Sequence, residues 1–291
     1  MAAGIFLARD KIPTLIIEKL SFGGNMLLTE IIENYPGFPD GISGFELSEN
    51  MKRQFIKFGG EIKIGEVEKL KIDDNKKIVK LKSGEEIIGD VIIIASGSSR
   101  KKLNVKGEEE FTGKGVSYCA ICDGAFFKEK KVAVIGGGDS AVEEAIYLSK
   151  FADSVYLIHR REKLRAKKYL QKEAKSNEKI KFMLPYIVKE IKGKEYVESI
   201  ILQDLSNQNI IEIKIDGIFI SAGQKPNTEF LNGILNTDEN GFIIVNERME
   251  TNIPGIYACG DVIKKSLYQI ITACSEGMIA AYFAEKYIEK L

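Results

Sequence analysis

The sequence feature that most constrains the fold is a strand, a glycine-rich turn, a helix and a second strand in direct succession. Lys131–Ile135 is a short, valine-rich apolar run, which is typical of a buried parallel strand. The turn Gly136-Gly-Gly138-Asp-Ser-Ala141 follows it, and a helical segment then leads to a second apolar run at Ser154–Ile158. This order predicts a β-α-β unit, in which the two strands lie parallel in one sheet.

The spacing of small residues in the turn, G-x-G-x-x-A, indicates a dinucleotide ligand. The first glycine permits a tight turn, the second lets backbone amides approach a pyrophosphate, and the small third residue brings the helix close to the strand. The positive end of the helix dipole then points at the phosphates. A glycine-rich loop without a ligand is the alternative, but the flanking strands favour binding. The residues predicted to form this site are Gly136, Gly138, Asp139, Ser140 and Ala141.

The residues at the end of the second strand predict which dinucleotide is bound. An acidic residue there would hold a ribose 2′-hydroxyl, whereas a cation accommodates a 2′-phosphate. This chain has His159, Arg160 and Arg161, followed by Arg165. Guanidinium groups bind phosphate through two parallel hydrogen bonds. A solvated basic helix start is the alternative, and we favour phosphate binding and therefore NADPH over NADH.

A pair of cysteines with the spacing C-x-x-C, Cys119 and Cys122, precedes this unit. In a turn or first helical turn their sulfurs come within disulfide reach, and a helix N-terminus favours the thiolate. Asp123 follows directly and could exchange a proton. Zinc would need about four ligands, but Cys259 and Cys274 form no second pair and the chain has 1 histidine. We therefore expect a redox pair without a metal, and a purely structural disulfide is the remaining alternative.

Composition bounds the remaining possibilities. A length of 291 residues suits about two domains, and a net charge of +0 gives no indication of nucleic acid or an anionic membrane as a partner. No apolar run approaches the length of a membrane span, and the first residues lack the pattern of a signal peptide. We therefore expect a cytoplasmic protein in a reducing compartment, where a C-x-x-C pair is more often redox-active or metal-binding than structural.

The combination of motifs resembles the low-molecular-weight thioredoxin reductases, which are flavin-containing disulfide oxidoreductases. The resemblance rests on Cys-Ala-Ile-Cys-Asp at 119–123, GGGDSA at 136–141 and HRRxxxR at 159–165. It implies an α/β fold of two Rossmann-like three-layer domains. The FAD-binding domain is split over residues 1–103 and 230–291, and the NADPH-binding domain that carries the cysteines is inserted between them at 104–229.

The resemblance also implies the reaction and the partners. In this family NADPH passes a hydride to FAD, the reduced flavin reduces the disulfide, and the dithiol reduces thioredoxin. The second cysteine contacts the flavin and the first attacks the partner, so Cys122 is expected to face the flavin and Cys119 to exchange with thioredoxin. Asp123 is expected to be the acid/base. The family is usually homodimeric, so we expect a homodimer.

Several further segments resemble those that line the flavin in this family. They correspond to its GGQ, ENYPG, ATG, GxxPNT and GDV motifs. Asn25 replaces the usual Gln, Ser96 replaces Thr, and Tyr268 stands where Arg is usual. Glu18 could also be a solvated strand end and Asp261 a simple helix N-cap. The residues expected to bind the cofactors by this resemblance are Glu18, Gly23, Gly24, Asn25, Asn34, Ala95, Ser96, Gly97, Gly223, Gly260, Asp261, Gln269 and Ile270.

The beginning of the chain repeats the helix and strand of the nucleotide unit. A shift of 141 positions places Glu18 on His159 and Leu7 on Leu148. In this register Ala141 falls just before Met1. We therefore expect a strand and a glycine-rich turn, the first FAD motif of the family, ahead of Met1, where none is present. From this we expect residues 1–291 alone to bind FAD poorly or to fold poorly.

Other functions stay open at this point. A peroxiredoxin or a glutaredoxin-like protein could replace thioredoxin as the acceptor. Ferredoxin or flavodoxin NADP reductases have a similar fold, but they lack the C-x-x-C pair that Cys119 and Cys122 form here. An alternative of a different class is an inactive NADPH-binding fragment, left by the lack of the first FAD motif.

The periodicity of the other segments predicts additional elements. Residues 44–58 are expected to form a helix with Phe45, Leu47, Met51 and Phe55 as its core stripe. Alternation over residues 61–90 predicts an antiparallel meander. We also expect strands at 212–220 and 241–245 and a closing amphipathic helix at 273–290.

Overall fold

The structure is a computed structural model that describes residues 1–29, 31–73 and 76–291. The α-helices are α1 (Ala2–Arg9), α2 (Gly44–Lys57), α3 (Ala120–Asp123), α4 (Asp139–Leu148), α5 (Lys168–Ser176) and α6 (Ile270–Ile288). The β-strands are β1 (Leu15–Glu18), β2 (Glu61–Ile64), β3 (Val67–Asp73), β4 (Lys76–Leu81), β5 (Glu86–Gly89), β6 (Ile92–Ile94), β7 (Ser98–Arg100), β8 (Val116–Ser117), β9 (Lys131–Ile135), β10 (Ser154–Ile158), β11 (Ile180–Met183), β12 (Tyr186–Gly193), β13 (Val197–Asp204), β14 (Ile210–Lys214), β15 (Gly217–Ile220), β16 (Gln224–Pro226) and β17 (Ile256–Ala258).

The chain forms two compact units. The first comprises Met1–Ser99 together with Gln224–Leu291, and the second comprises Arg100–Gly223. Each unit has its own buried apolar cores. No helix in the described ranges has the length and apolar character that crossing a membrane would require.

The second unit is built on a five-stranded parallel sheet with the strand order β11-β10-β9-β15-β8. Val132 and Val134 pack with α4 and α5 on one face, whereas Ala133 packs with the antiparallel strands β12 and β13 on the other face. This alternation follows from the two-residue period of a strand. The result is the predicted three-layer α/β architecture. The glycine-rich turn follows β9, whose end lies between β10 and β15.

The first unit contains two parallel strand pairs, β1 with β2 and β6 with β17, and the antiparallel sheet β3-β4-β5. Ile256 and Ala258 face the core that includes Leu70 of the antiparallel sheet. Tyr257 between them packs against α6, where its hydroxyl donates to the carbonyl of Phe283 at 2.9 Å. Helices, parallel strands and an antiparallel sheet therefore form three layers here as well.

Three strand predictions were wrong in part. Residues 61–64 do not open the meander, because β2 pairs with β1 in parallel. In the described part of residues 61–90, the antiparallel strands are β3, β4 and β5. The segment 212–220 is two strands in different sheets, interrupted where Asp216 turns to bond both the backbone N–H and the carbonyl of Lys131. Residues 241–245 form no strand, only isolated bridges at Ile243.

The core stripe of α2 also differs from its prediction. Leu47 and Phe55 are buried, at 3% and 0% exposure, but Phe45 is 69% exposed. Residues three, four or seven apart share a helix face, and Phe45 lies two positions before Leu47, so it turns away from that face. The closing helix begins at Ile270, three residues earlier than predicted.

Candidate active site

The two cysteines of the C-x-x-C motif form a disulfide at the start of α3. Their Cα atoms lie 5.3 Å apart. Cys119 is the N-cap of α3, and the backbone N–H of Cys122 donates to its sulfur at 3.2 Å. Both cysteines are partly exposed. When the bond is reduced, this N–H and the helix end favour a thiolate on Cys119.

Asp123, the last residue of α3, is held from the preceding strand. The hydroxyl of Ser117 donates to its carboxylate at 2.5 Å. Burial raises the pKa of the Asp123 carboxyl above its usual range, while the Ser117 hydroxyl and the guanidinium of Arg100 act to lower it. Because burial raises its pKa and the two neighbouring groups lower it, this carboxyl next to the disulfide can take up and release a proton.

A second carboxyl, that of Glu144 on α4, is influenced by the same guanidinium. Burial raises the pKa of Glu144 to about 7, against a hydrogen bond with Ser221 and the charge of Arg100. Arg100 itself stacks over the ring of Tyr118, with 5.5 Å from its guanidinium carbon to the ring centroid. Tyr118 is the residue before Cys119, so the guanidinium, both carboxyls and the redox pair belong to one region of the second unit.

The predicted nucleotide turn has the backbone geometry that phosphate binding needs. A Cβ at Gly136 would stand 2.6 Å from both the Cβ of Ala141 and the carbonyl oxygen of Ser221, so only glycine permits the helix to come this close. At Gly138, the N-cap of α4, an added Cβ would meet no atom within 4 Å, and no side chain caps the helix. Free amides and open space therefore coincide at the positive end of α4.

The basic loop after β10 is tied to this turn through the backbone. The N–H groups of Arg165 and Ala166 both donate to the carbonyl of Gly137, at 2.7 and 3.1 Å. Asp139 accepts the backbone N–H of Lys167 at 2.8 Å, so its carboxylate anchors the loop. Ser140 is exposed at the start of α4. The structure thus brings the predicted phosphate turn and the predicted arginine group together.

His159 lies between the turn and the arginines. Its ring is 7% exposed and lies against Gly137, where an added Cβ would stand 2.5 Å from the ring. Burial lowers the pKa of His159, and the charges of Arg165, Arg161 and Arg160 lower it further. Within the described residues Nε2 has no hydrogen-bond partner. The three arginines are exposed. An anion with an acceptor oxygen is the ligand that this set of groups suits.

Predicted flavin residues of the first unit are brought together by hydrogen bonds between distant segments. The side-chain amide of Asn25 donates to the carbonyl of Ser98 at 3.0 Å, and that of Asn34 donates to Gln269 at 3.0 Å. Gly23 and Gly24 have positive φ angles of 118° and 52° just before Asn25. Despite being shorter than Gln, Asn25 thus makes a long-range contact.

Other predicted residues lie where parallel strands end. Glu18 ends β1 and accepts the N–H of Leu20 at 3.1 Å. Ala95, Ser96 and Gly97 follow β6, and an added Cβ at Gly97 would meet nothing within 4 Å. Gly223 accepts the N–H of Lys101 at 3.0 Å in the second unit.

The turn after β17 is stabilised by a buried ion pair. Lys265 and Glu276, whose side chains are 9% and 14% exposed, lie 2.9 Å apart. The same Glu276 oxygen accepts the backbone N–H of Gly260 at 2.9 Å, and Lys265 lies 3.5 Å from Asp261. Asp261 lies within a short 3-10 turn, Gly260–Val262, so the alternative that it is the N-cap of a helix is not what the structure has.

The closing helix begins a few residues beyond this turn. Gln269 is the N-cap of α6, in a capping box with Thr272, and Ile270 is the first residue of the helix. Among the described residues, no group of three or more His, Cys, Asp or Glu side chains is placed to hold a metal. Cys259 is a buried free thiol, and Cys274 lies 3.8 Å from the hydroxyl of Tyr35.

Sequence reasoning missed the groups that support the site. Ser117 had a readable signal, because it lies two residues before Cys119 in an extended segment, on the same side of the chain. Arg100 lies in a polar and basic stretch, residues 98–108, that contains no recognised motif. Glu144 had no local signal, and Lys265 and Glu276 are 11 positions apart in a region with no periodic pattern that joins them.

Comparisons with known proteins point in one direction. Residues 1–277 match the family described as pyridine nucleotide-disulphide oxidoreductase. The thioredoxin reductase of Bacillus subtilis (strain 168) is 45% identical over 294 residues, which cover 100% of this chain and 92% of that protein. The solved thioredoxin reductase from Streptococcus pyogenes MGAS5005 superposes with a TM-score of 0.94 at 42% identity, over 100% of this chain and 94% of that one. The thioredoxin reductase from Giardia duodenalis gives a TM-score of 0.93 at 31% identity, over 99% and 94% of the two chains.

The raised pKa of Glu144 predicts a pH-dependent cost in stability. Its pKa is about 7 in the folded protein against 4.5 for a free side chain, so the cost is absent below about pH 4, grows between these values and is complete above about pH 7. We expect Glu144→Gln to raise the free energy of unfolding by roughly 2 kcal/mol at pH 8 and by little at pH 5. Urea unfolding at both pH values measures the difference.

The neighbouring Glu143, which is exposed, provides the matched control. We expect Glu143→Gln to change stability by less than about 0.5 kcal/mol at either pH, as surface substitutions do. Equal stabilisation of the Glu144 variant at pH 5 and pH 8 would contradict the assignment.

Proposed function

The chain belongs to the pyridine nucleotide-disulphide oxidoreductases, and within them to the thioredoxin reductases, and on this premise we propose that it reduces the disulfide of a thioredoxin with electrons from NADPH. The enzyme is a flavoprotein disulfide oxidoreductase. The observation that carries the proposal is the Cys119–Cys122 disulfide, next to a proton-holding carboxyl and in the same unit as a nucleotide turn. Exposed Ile121 and Phe126 beside the disulfide suit a protein substrate.

The residues of the second unit fit NADPH. The open backbone at Gly138 and the free amides of α4 would hold the pyrophosphate, with Gly136 and Ala141 allowing the close approach. His159, with its unpartnered buried nitrogen, and the neighbouring arginines would hold the 2′-phosphate. The lack of an acidic residue at the end of β10 supports NADPH over NADH.

The first unit has groups that fit FAD. Glu18 would hold the adenosine ribose and Asp261 the ribityl chain, and the open backbone at Gly97 and Gly24 would let a flat ring approach. The Asn34–Gln269 pair would line the same ligand. When bound, FAD supplies the relay of two electrons between the nicotinamide and the disulfide.

The chemistry that the chain's own residues perform is thiol–disulfide exchange. Cys119 as thiolate attacks one sulfur of the thioredoxin disulfide, and the released partner thiolate takes a proton from Asp123. Cys122 then attacks the sulfur of Cys119, which reforms the Cys119–Cys122 bond and releases the second partner thiolate. The two protons of the dithiol end on the partner, and two electrons leave with them.

We also propose a homodimer that works in the reducing cytoplasm. The family resemblance supports the homodimer. A reducing cytoplasm is consistent with the cysteines, because Cys119 and Cys122 of the C-x-x-C motif are paired while Cys259 and Cys274 are free thiols. Light scattering on the purified protein tests the assembly, with an expected mass of about twice 32.5 kDa. A mass equal to that of one chain would refute the homodimer.

The proposed activity is tested by NADPH oxidation in the presence of a bacterial thioredoxin. We expect turnover by the wild-type chain and a loss of more than about 1,000-fold in Cys119→Ser, because the attacking thiolate is gone. Cys274→Ser, which removes a free cysteine outside the redox motif, is the matched control and should keep its activity within about twofold.

The alternatives give distinct results in the same experiment. If the chain oxidises NADPH only in the presence of a peroxiredoxin or a glutaredoxin-like protein, that protein is the acceptor and thioredoxin is not. Anaerobic titration with NADPH should bleach a visible flavin spectrum. A chain that shows no flavin and no turnover, but binds NADPH, would be the inactive fragment.

The basic loop predicts the preference between nicotinamide cofactors. We expect Arg160→Ala/Arg165→Ala to raise the KM for NADPH about 10- to 100-fold, since each charged hydrogen bond contributes about 1.5–3 kcal/mol. The KM for NADH, which has no 2′-phosphate, should change by less than about threefold. Lys194→Ala, an exposed cation in the turn after β12, is the control. Parallel losses with both cofactors would argue against phosphate recognition by this loop.

A further inference from the structure

Ser117 is a buried polar residue that leads into the redox turn. It is the last residue of β8, is 5% exposed and pairs in register with Phe219 of β15. Burying a hydroxyl in a parallel sheet costs free energy unless the hydroxyl is hydrogen-bonded. Its position is fixed by the sheet, independently of the turn that follows.

The hydroxyl of Ser117 joins the two parts of the redox turn. Its oxygen accepts the backbone N–H of Cys119 at 3.0 Å, and it lies 2.5 Å from the Asp123 carboxylate and 3.4 Å from the carbonyl of Cys119. A hydroxyl has a single proton to donate. The shorter distance identifies the Asp123 carboxyl as the partner of the Ser117 hydroxyl, which donates to it whenever Asp123 is ionised.

We propose that Ser117 is a positioning residue of this reductase: its hydroxyl holds the carboxyl of Asp123 and the backbone of Cys119 in one arrangement for proton transfer. The inference rests on the proposed function, because it gives Ser117 its role through Asp123. Fixing the carboxylate from a strand keeps it in place while the cysteines alternate between disulfide and dithiol.

The Ser117 hydroxyl acts at the step in which the disulfide is reduced and Asp123 loses its proton. Opening the Cys119–Cys122 bond takes two electrons, which come from NADPH, and leaves two thiolates. Asp123 in its acid form gives its proton to one of them and becomes ionised. The hydrogen of the NADPH hydride is left as a proton once its two electrons have reached the disulfide, and it supplies the second proton. In this state the Ser117 hydroxyl donates to the new carboxylate, and it stabilises the charged form that must later take up a proton again.

Several charged and titratable groups surround Asp123, and the test must separate them. Arg100 acts on its carboxyl directly. Glu144 on α4 titrates near neutral pH, and Tyr147 of the same helix packs at Gly124. Tyr118 lies between Ser117 and the cysteines. The Ser117 hydrogen bond lowers the pKa of Asp123, so its removal should raise that pKa, whereas Glu144 has a different hydrogen-bond partner.

The experiment compares an isosteric pair, Ser117→Thr and Ser117→Val, with Ser117→Ala. Thr keeps the hydroxyl, Val replaces it with a methyl group of the same shape, and both suit a strand. Two quantities are measured against pH: kcat and KM with thioredoxin, and the rate at which iodoacetamide alkylates the reduced dithiol. Asp123→Asn identifies the limb of the profiles that belongs to Asp123, and a Glu144→Gln background removes the second carboxyl.

We expect the Asp123 limb to move up by about one pH unit in Ser117→Val and Ser117→Ala, a tenfold change in proton affinity. At neutral pH kcat should fall about tenfold with KM within about twofold. Ser117→Thr should restore both. Ser199→Ala is the control, since Ser199 is a buried hydroxyl in the same unit that donates to Glu212 at 2.6 Å, and its profiles should match the wild type.

Two failures would have different meanings. If Asp123→Asn keeps the limb, the acid/base role of Asp123 is wrong, and the proposal for Ser117 fails with it. If the limb belongs to Asp123 but Ser117→Val and Ser117→Thr give the same profile, Ser117 has only a structural role. In that case the proposed reductase function stands and this inference alone is refuted.

Discussion

The second unit depends on the close approach of α4 to the ends of β9 and β15. At Gly136 a side chain would collide with both Ala141 and the carbonyl of Ser221, so any larger residue would push the helix away from the sheet. The same approach brings the free amides of α4 to the edge where the basic loop is tied to Gly137. It also brings Glu144 to Ser221. One backbone contact therefore positions both the predicted nucleotide turn and the carboxyl of Glu144.

Two carboxyls near the redox cysteines, those of Glu108 and Asp123, differ in their hydrogen-bond donors. Glu108 is 1% exposed and accepts the N–H groups of Leu103 and Asn104 and the hydroxyl of Tyr118, at 2.7 to 2.9 Å. It thus fixes the residue before Cys119. Asp123 has one strong donor, and burial raises its pKa. Three donors hold Glu108 in place as a structural group, whereas Asp123, with its raised pKa beside the disulfide, is placed to exchange a proton.

Local patterns were enough to predict the elements that carry the motifs. The bounds of β9 and β10, the glycine turn and the disulfide each follow from a short run of consecutive residues. Contacts between distant segments could not be predicted in the same way. Asn34 and Gln269 are 235 positions apart, and β2 left the predicted meander because its partner β1 lies far ahead of it in the chain. Strand alternation gives the faces of a strand but not its neighbour.

The repeat between the beginning of the chain and the nucleotide unit survives in the structure. In both, a helix leads to a strand, β1 or β10, that pairs in parallel with the next strand, β2 or β11. The two units differ at the residue that ends the strand. Glu18 is partly exposed and its carboxylate accepts the nearby N–H of Leu20, whereas His159 is buried beside three arginines. A carboxylate suits a ribose hydroxyl, and a cationic cluster suits a phosphate. The same helix and strand arrangement therefore occurs twice, and the charge at the strand end is the difference on which the proposed assignment of FAD to the first unit and NADPH to the second rests.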